Sequence, residues 1–197
     1  MYNKIAKDFD KTRFSLWPGV RSFLDTLPTN TLLCDVGFGN GKYLSYRKDI
    51  ITFGCDICDP LIEIAHNAHP FANLIKSSAL NIPYRDKSFD NTICIAVLHH
   101  MKTEEDRKIL LKELTRITNH KIMLSVWASE QDDKRMSKWK HLGNNDYLIP
   151  YMTTHRDIII DRYYHLFSKE ELINLCRDII EIDRIWYEKN NWYLISK

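Results

Sequence analysis

No stretch of this 197-residue chain approaches the roughly 20 consecutive apolar residues that a bilayer helix needs, and Met1-Tyr2-Asn3-Lys4-Ile5-Ala6 lacks the apolar centre of a secretory signal. Neither membrane insertion nor export is expected. Cysteine is too sparse, and odd in number, for a disulfide scaffold: Cys34, Cys55, Cys58, Cys94 and Cys176 lie mostly in apolar runs, as buried thiols of a reducing compartment do. A cytosolic or nuclear location is the corresponding expectation. An excess of one charge is missing too. With 28 Lys and Arg against 26 Asp and Glu, the formal net charge of +2 makes no composition-level case for nucleic acid or membrane. Any basic surface has to be local. Internal repeats, low-complexity tracts and Pro/Gly-rich linkers are also absent. At 44% hydrophobic, the chain is long enough for one substantial core and short for two, so residues 1–197 read as a single domain.

What is present is a rhythm of short apolar runs and amphipathic stretches. Strands are predicted over 32–36, 50–56, 73–76, 91–98 and 121–127, and this alternation implies a parallel sheet with helices on both faces. The clearest helix covers 103–118, with Thr103 as N-cap, Asp106 three residues on, and Leu110, Leu111, Leu114 and Ile117 along one side. Ser168 with Glu171 opens another in the same way, with Leu172, Leu175, Cys176 and Ile179 as its core stripe. Two strands, 180–187 and 192–195, close the chain around a polar Glu188-Lys189-Asn190-Asn191 turn. The rhythm breaks at about 130–165, a polar and aromatic insertion after the fifth strand. Loops at strand ends carry ligand chemistry in open α/β sheets, so this insertion is the expected substrate-recognition element.

The most informative run is Cys34-Asp35-Val36-Gly37-Phe38-Gly39-Asn40-Gly41, an acid and three alternate glycines directly after Leu32-Leu33. Such an order suits a strand entering a tight turn and then a helix, with glycines letting the main chain approach a nucleotide-like ligand. The D-x-G-x-G-x-G spacing differs from the dinucleotide fingerprint and resembles the first motif of class I S-adenosylmethionine-dependent methyltransferases. Asp56, about 20 residues beyond the first glycine, closes the second strand where a carboxylate can accept ribose hydroxyls. Asp35 offers negative charge near the glycine loop, suited to a sulfonium. Ser78, Ala79 and Leu80 leave the third strand where an adenine would lie, and the Ser78 hydroxyl can still accept a hydrogen bond there. With Gly37, Gly39, Gly41, Ile57, Ala96 and Val97 these residues make the expected cofactor site.

Further blocks resemble a narrower group, the eukaryotic tRNA methyltransferases that esterify 5-carboxymethyluridine at the anticodon wobble position. They are Tyr2 to Ala6 with Thr12-Arg13 and Trp17-Pro18, Asp35 to Leu44, Ile95 to His100, Val126-Trp127-Ala128 with Glu130-Gln131, Arg162-Tyr163-Tyr164-His165-Leu166-Phe167, and Asn191-Trp192-Tyr193. The chain departs from that pattern at Phe38, where the family usually has Cys, at Ser78, where it usually has Asp, and at Asn119-His120. The resemblance implies a Rossmann-like class I methyltransferase fold with a mostly parallel seven-stranded sheet and an antiparallel last strand. It implies S-adenosylmethionine as cofactor, the tRNA anticodon loop as substrate, 5-methoxycarbonylmethyluridine as product, and a heterodimer with a small zinc-binding activator subunit. For that subunit, residues 72–77 are a plausible pairing edge.

A carboxylate acceptor is already ionised at neutral pH, so positioning and desolvation matter more than a general base. Arg13 and His99 are the leading candidates for holding the anion. Arg13 can equally grip the cofactor's carboxylate, and His99 can equally be a local structural hydrogen bond. His165 and Arg162 either guide the anticodon loop or pack the insertion against the sheet, and His100 is a weaker candidate. Trp17, Trp139, Tyr147 and Tyr151 can stack bases or belong to the core. The insertion carries six Lys or Arg against six acids, so it is no bare basic patch. Cys55-x-x-Cys58 has no second ligand pair, and no metal is expected. Two other readings remain open from these residues: a quinone-type small-molecule methyltransferase, and a non-catalytic cofactor-binding scaffold.

Overall fold

The computed structural model describes residues 2–12, 15–153 and 159–197. In chain order the elements are α1 (Ala6–Lys11), α2 (Pro18–Asp25), β1 (Leu32–Val36), β2 (Ile51–Asp56), α3 (Asp59–Ala68), β3 (Asn73–Lys76) and β4 (Phe89–Ile95), then α4 (Glu104–Ile117), β5 (Thr118–Trp127), the single-turn α5 (Asp133–Met136), β6 (Lys140–Gly143), β7 (Asp146–Met152), β8 (Ile159–His165), α6 (Lys169–Cys176), β9 (Ile182–Glu188) and β10 (Asn191–Ser196). Seven strands form one sheet in the order β3-β2-β1-β4-β5-β10-β9. Neighbours from β3 to β5 are parallel, and β10 reverses to pair antiparallel with β5 and β9. The expected Rossmann-like architecture is therefore present, with the chain order reversing between β1 and β4.

Successive side chains of the central strands enter opposite layers. Leu33, Ile93 and Met123 pack with Val20, Phe23 and Leu24 of α2. Their neighbours Cys34, Cys94 and Leu124 pack with Leu110, Leu111 and Leu114 of α4 and Leu172 of α6. Because both faces are covered, these strands read as continuous apolar runs. The caps form as the sequence predicts: Thr103 Oγ1 accepts from the Asp106 N–H and Ser168 Oγ from the Glu171 N–H, each at 3.1 Å. All five cysteines are buried and free. No helix among the described residues is long and apolar enough to cross a membrane.

Two features differ from the sequence reading. First, no helix follows the glycine run; residues 42–50 make successive turns, with Leu44 N–H donating to the Gly41 carbonyl at 2.9 Å and Tyr46 N–H to the Tyr43 carbonyl at 3.2 Å. Adjacent Tyr43 and Leu44 bury in two separate apolar clusters, a divergence that one helical face does not provide. Second, the insertion has its own antiparallel sheet, β6-β7-β8. It is anchored by His165, whose Nδ1 and Nε2 meet Asp146 Oδ1 at 2.6 Å and Glu171 Oε1 at 2.5 Å. Tyr163 Oη donates to the same Asp146 oxygen at 2.6 Å, and Arg107 of α4 stands 3.8 Å from it. At the other end of the sheet, β9 and β10 are joined through Lys189 and Asn190, with φ of +47° and +64°. Two consecutive left-handed residues make the twist-compatible hairpin turn.

Removing the α4 cap and part of its stripe tests this account. Thr103→Ala is expected to lower unfolding free energy by about 1 kcal/mol and Leu114→Ala by about 2–5 kcal/mol. Urea unfolding at neutral pH measures both, and equal small losses would contradict the packing described.

Candidate active site

The carboxyl ends of β1, β2 and β4 open into a cavity of about 890 Å³, walled on the other side by the end of β5, the insertion and the β9–β10 turn. Gly37 lies on its floor with φ of +75°, and a Cβ there would stand 2.4 Å from Val97 Cγ2. Only glycine allows β1 and β4 to close at this height. Gly39 turns its N–H onto Asp56 Oδ2 at 2.9 Å, while Asp56 Oδ1 accepts from the Cys58 N–H at 2.8 Å. Burial raises the Asp56 carboxyl above its ordinary range, and these N–H groups pull it back. Two ordered backbone donors leave the carboxylate fixed, with lone pairs to spare for hydroxyl donors.

Asp35 is the electrostatic anomaly of this wall. It is 2% exposed, and Oδ2 has no hydrogen-bond partner among the described residues. Burial, followed by repulsion from Asp56 and offset by Lys42, pushes its carboxyl up to about 8. An orphaned buried carboxyl at the edge of a cavity fits a positively charged ligand, which would favour its ionised form. Ser78, Ala79, Leu80, Ala96 and Val97 line the same half, and Ile57 lies at its exposed rim. Ser78 Oγ already accepts from the Leu80 N–H at 3.2 Å, leaving its proton and one lone pair. Ala96 sits at φ +62°, a left-handed turn for a residue with a Cβ, and it redirects the chain from β4 towards His99.

The opposite wall holds the candidates for an acceptor group. Arg162 is 4% exposed, and its guanidinium carbon lies 4.9 Å from the Tyr151 ring centroid and 5.1 Å from that of Tyr164. Its Nε has no acceptor and the side chain no carboxylate partner among the described residues. His99 is buried, stacked 4.9 Å from Tyr164, and its Nδ1 accepts from the Trp127 N–H at 3.1 Å. The proton of the neutral ring therefore resides on Nε2. Burial, then the nearby His100 and Arg162, holds this imidazole well below its usual range. Thus His99 has one nitrogen committed to a structural hydrogen bond, and its Nε2 donor is left over. His100 has no such surplus: Nδ1 meets the Tyr163 carbonyl and Nε2 the Tyr2 hydroxyl, both at 3.0 Å, and burial pushes its value down to about 4.

Several expected site residues lie elsewhere. Gly41 does not line the cavity; its missing Cβ makes room for Leu44 Cδ1 at 2.8 Å and His69 Cδ2 at 2.9 Å. His165 is likewise outside the cavity lining, both ring nitrogens being engaged by Asp146 and Glu171. Arg13 lies outside the described residues. Of the four aromatic residues considered for base stacking, Trp17 lines the cavity, whereas Trp139, Tyr147 and Tyr151 do not. Trp127, Tyr164, Gln131 and Asn191 do line it. Their blocks were legible in sequence, but their positions at the ends of β5, β8 and β10 become visible only with the strands placed. Among the described residues, no cluster of three or more His, Cys, Asp or Glu side chains is arranged to hold a metal.

Comparison with known proteins agrees with this geometry. Residues 34–124 match the family model described as "Methyltransferase domain". A Schizosaccharomyces pombe tRNA (carboxymethyluridine(34)-5-O)-methyltransferase is 32% identical, over 100% of this chain and 94% of the relative. An Arabidopsis thaliana protein of the same name is 41% identical over 73% of this chain, which spans 36% of that longer relative. Among solved structures, a SAM-dependent methyltransferase from Methanosarcina mazei superposes with TM-score 0.75 at 20% identity, covering 92% of this chain and 97% of its own. One chain of a Haloferax volcanii complex containing the Trm112 methyltransferase activator gives 0.71 at 14% identity, covering 99% and 94%. The two structures share the fold, and S-adenosylmethionine is the cofactor.

Asp35 makes the stability of the ligand-free protein depend on pH. Its folded value of about 8 lies above the ordinary 3.8, so its favourable contribution is complete below that value and is lost as pH rises through about 8. Asp35→Asn is therefore expected to be more stable than the parent, by a margin that grows towards about 1.4 kcal/mol per pH unit between the two values and then levels off. The variant should also bind S-adenosylmethionine more weakly. Unfolding measured from pH 5 to 9, with calorimetric titration of the cofactor, checks both; a pH-independent margin would refute the assignment.

Proposed function

The chain belongs to the family of tRNA (carboxymethyluridine(34)-5-O)-methyltransferases, and from that membership we propose that it esterifies the carboxylate of 5-carboxymethyluridine at the wobble position of a tRNA anticodon, giving 5-methoxycarbonylmethyluridine. The observation that carries this reading is Arg162, a buried guanidinium in the cavity wall without an acidic partner among the described residues. A buried cation is costly unless paired, and an anionic acceptor group is the natural counter-ion.

Such an acceptor needs little acid–base help, because a carboxylate with a pKa of about 4 is ionised at neutral pH. When bound, S-adenosylmethionine supplies a methyl group activated by the positive charge on its sulfur. Arg162 holds the acceptor anion through charge-assisted N–H bonds, strengthened by exclusion of water. His99 adds its Nε2–H, which carries the ring proton because Nδ1 accepts from the Trp127 N–H. Trp127 offers an aromatic edge to an unstacked base, while the buried Tyr164, stacked on His99, keeps water from the reacting pair. Arg13, from the same N-terminal block as Trp17, is a further candidate for an anionic group. The aromatic wall alone would also suit a quinone, but an unpaired buried guanidinium would not.

The proposed partner is a small zinc-binding activator that pairs with the free edge of β3. In support, β3 ends the seven-stranded sheet, Ile75 is exposed on it, and Phe71 just before it is 97% exposed. An open apolar edge is a site for strand addition.

The decisive assay incubates the chain, with and without that subunit, with labelled S-adenosylmethionine and tRNA bearing 5-carboxymethyluridine, followed by nucleoside analysis. Label is expected in the methyl ester; label in a quinone extract and none in tRNA would sink the reading. Arg162→Gln should lower kcat/KM by about 100-fold with cofactor affinity retained. Phe71→Ser with Ile75→Lys should abolish capture of the purified activator while the melting temperature changes little. Undiminished capture would move the interface elsewhere.

A further inference from the structure

Gln131 and Asn191 line the cavity beside the anion-binding pair, and the mechanism above uses neither. Gln131 Nε2 donates to the Ala128 carbonyl at 2.8 Å and to the Asn190 carbonyl at 3.0 Å. Only an NH₂ group can face two carbonyls, so the orientation of this amide is forced. Asn191 Nδ2 is committed in the same way, to the Lys189 carbonyl at 2.7 Å. Both side chains therefore turn an oxygen the other way. Gln131 Oε1 and Asn191 Oδ1 are buried with no hydrogen-bond donor among the described residues, and Asn191 as a whole is 7% exposed. Buried acceptors without donors are rare in native proteins, and two in one cavity wall point to a ligand that brings N–H or O–H groups.

Their position identifies which ligand. Asn191 pairs across the sheet with Trp127, whose own N–H fixes His99. The glycine loop follows β1, three strands away from β10 and hence about 14 Å across the sheet. Both residues thus lie on the acceptor side of the cavity, whose lining also includes His99 and Arg162. Their backing is stiff, because the Asn190 carbonyl accepts from both Gln131 Nε2 and the Ala128 N–H, pinning the β9–β10 turn to the end of β5.

We propose that Gln131 Oε1 and Asn191 Oδ1 form an acceptor pair that reads the imide N3–H of the target pyrimidine, making the site selective for a uracil ring as well as for a carboxylate. The inference rests on the function proposed above. Uracil presents an N–H at position 3, where cytosine presents a lone pair that would face these oxygens repulsively.

The test compares methyl transfer to two anticodon stem-loop RNAs, identical except for 5-carboxymethyluridine or 5-carboxymethylcytidine at the wobble position. The parent protein is expected to favour the uridine RNA in kcat/KM by about 100-fold. Gln131→Met and Asn191→Leu should each shrink that ratio at least about tenfold. Calorimetric binding of S-adenosylmethionine confirms that each variant is folded. A purely structural role would slow both RNAs alike; an unchanged ratio in Gln131→Met and Asn191→Leu, with good transfer to the uridine RNA, overturns this proposal alone. Failure of the parent protein on the uridine RNA in the presence of the activator subunit overturns the functional reading and this proposal with it.

Discussion

The close parallel pairing of β1 with β4 is the constraint on which the rest of the site depends. The paired register runs to Asp35 opposite Ile93, and just past it, at Gly37, the main chain lies so near Val97 that no side chain fits. Because β2 lies on one side of β1 and β4 on the other, the chain segments leaving their carboxyl ends turn away in opposite directions. The crevice between them is a consequence of connectivity, as in other open α/β sheets. Asp56 holds the glycine loop on one lip through Gly39, and the left-handed Ala96 swings His99 into the other.

Across this crevice stand an acidic and a basic side chain for which the described residues supply no counter-ion: burial keeps Asp35 protonated up to about pH 8 until a cation arrives, whereas Arg162 stays charged. Asp35 is buried without a hydrogen bond at Oδ2, and Arg162 is buried without an acid among the described residues. Either would destabilise a domain whose total stability is on the order of 10 kcal/mol. Together they define a site preorganised for one positive and one negative ligand group. In the proposed transfer the sulfonium and the carboxylate both become neutral, so the opposed charges of the walls match reactants better than products.

The fold was largely legible because its signals are local. The boundaries of β1 and β3, the Thr103 and Ser168 caps and the Lys189-Asn190 turn each depend on residues within a few positions of one another. The helix expected after Gly41 failed because Tyr43 and Leu44 bury in separate clusters, a demand set by distant partners. The insertion was visible as a break in rhythm, but its three strands were not. β6 is four residues long and ends in glycine, β7 carries Pro150, and β8 mixes aromatic and charged residues, so no sustained apolar period runs through the three.

That hidden sheet decides the roles of the Arg162-Tyr163-Tyr164-His165 block. Sequence alone determined the cofactor motif, the layered α/β plan and the presence of an Arg and a His here, since those follow from residue type and short-range spacing. It left Arg162 and His165 equivalent. In β8, residues three apart face opposite sides of the strand, so Arg162 and Tyr164 turn into the cavity while Tyr163 and His165 turn to Asp146. Which side chain faced the cavity and which held the scaffold was decided only by tertiary structure, because a strand's period has chemical meaning only once another element occupies one of its faces.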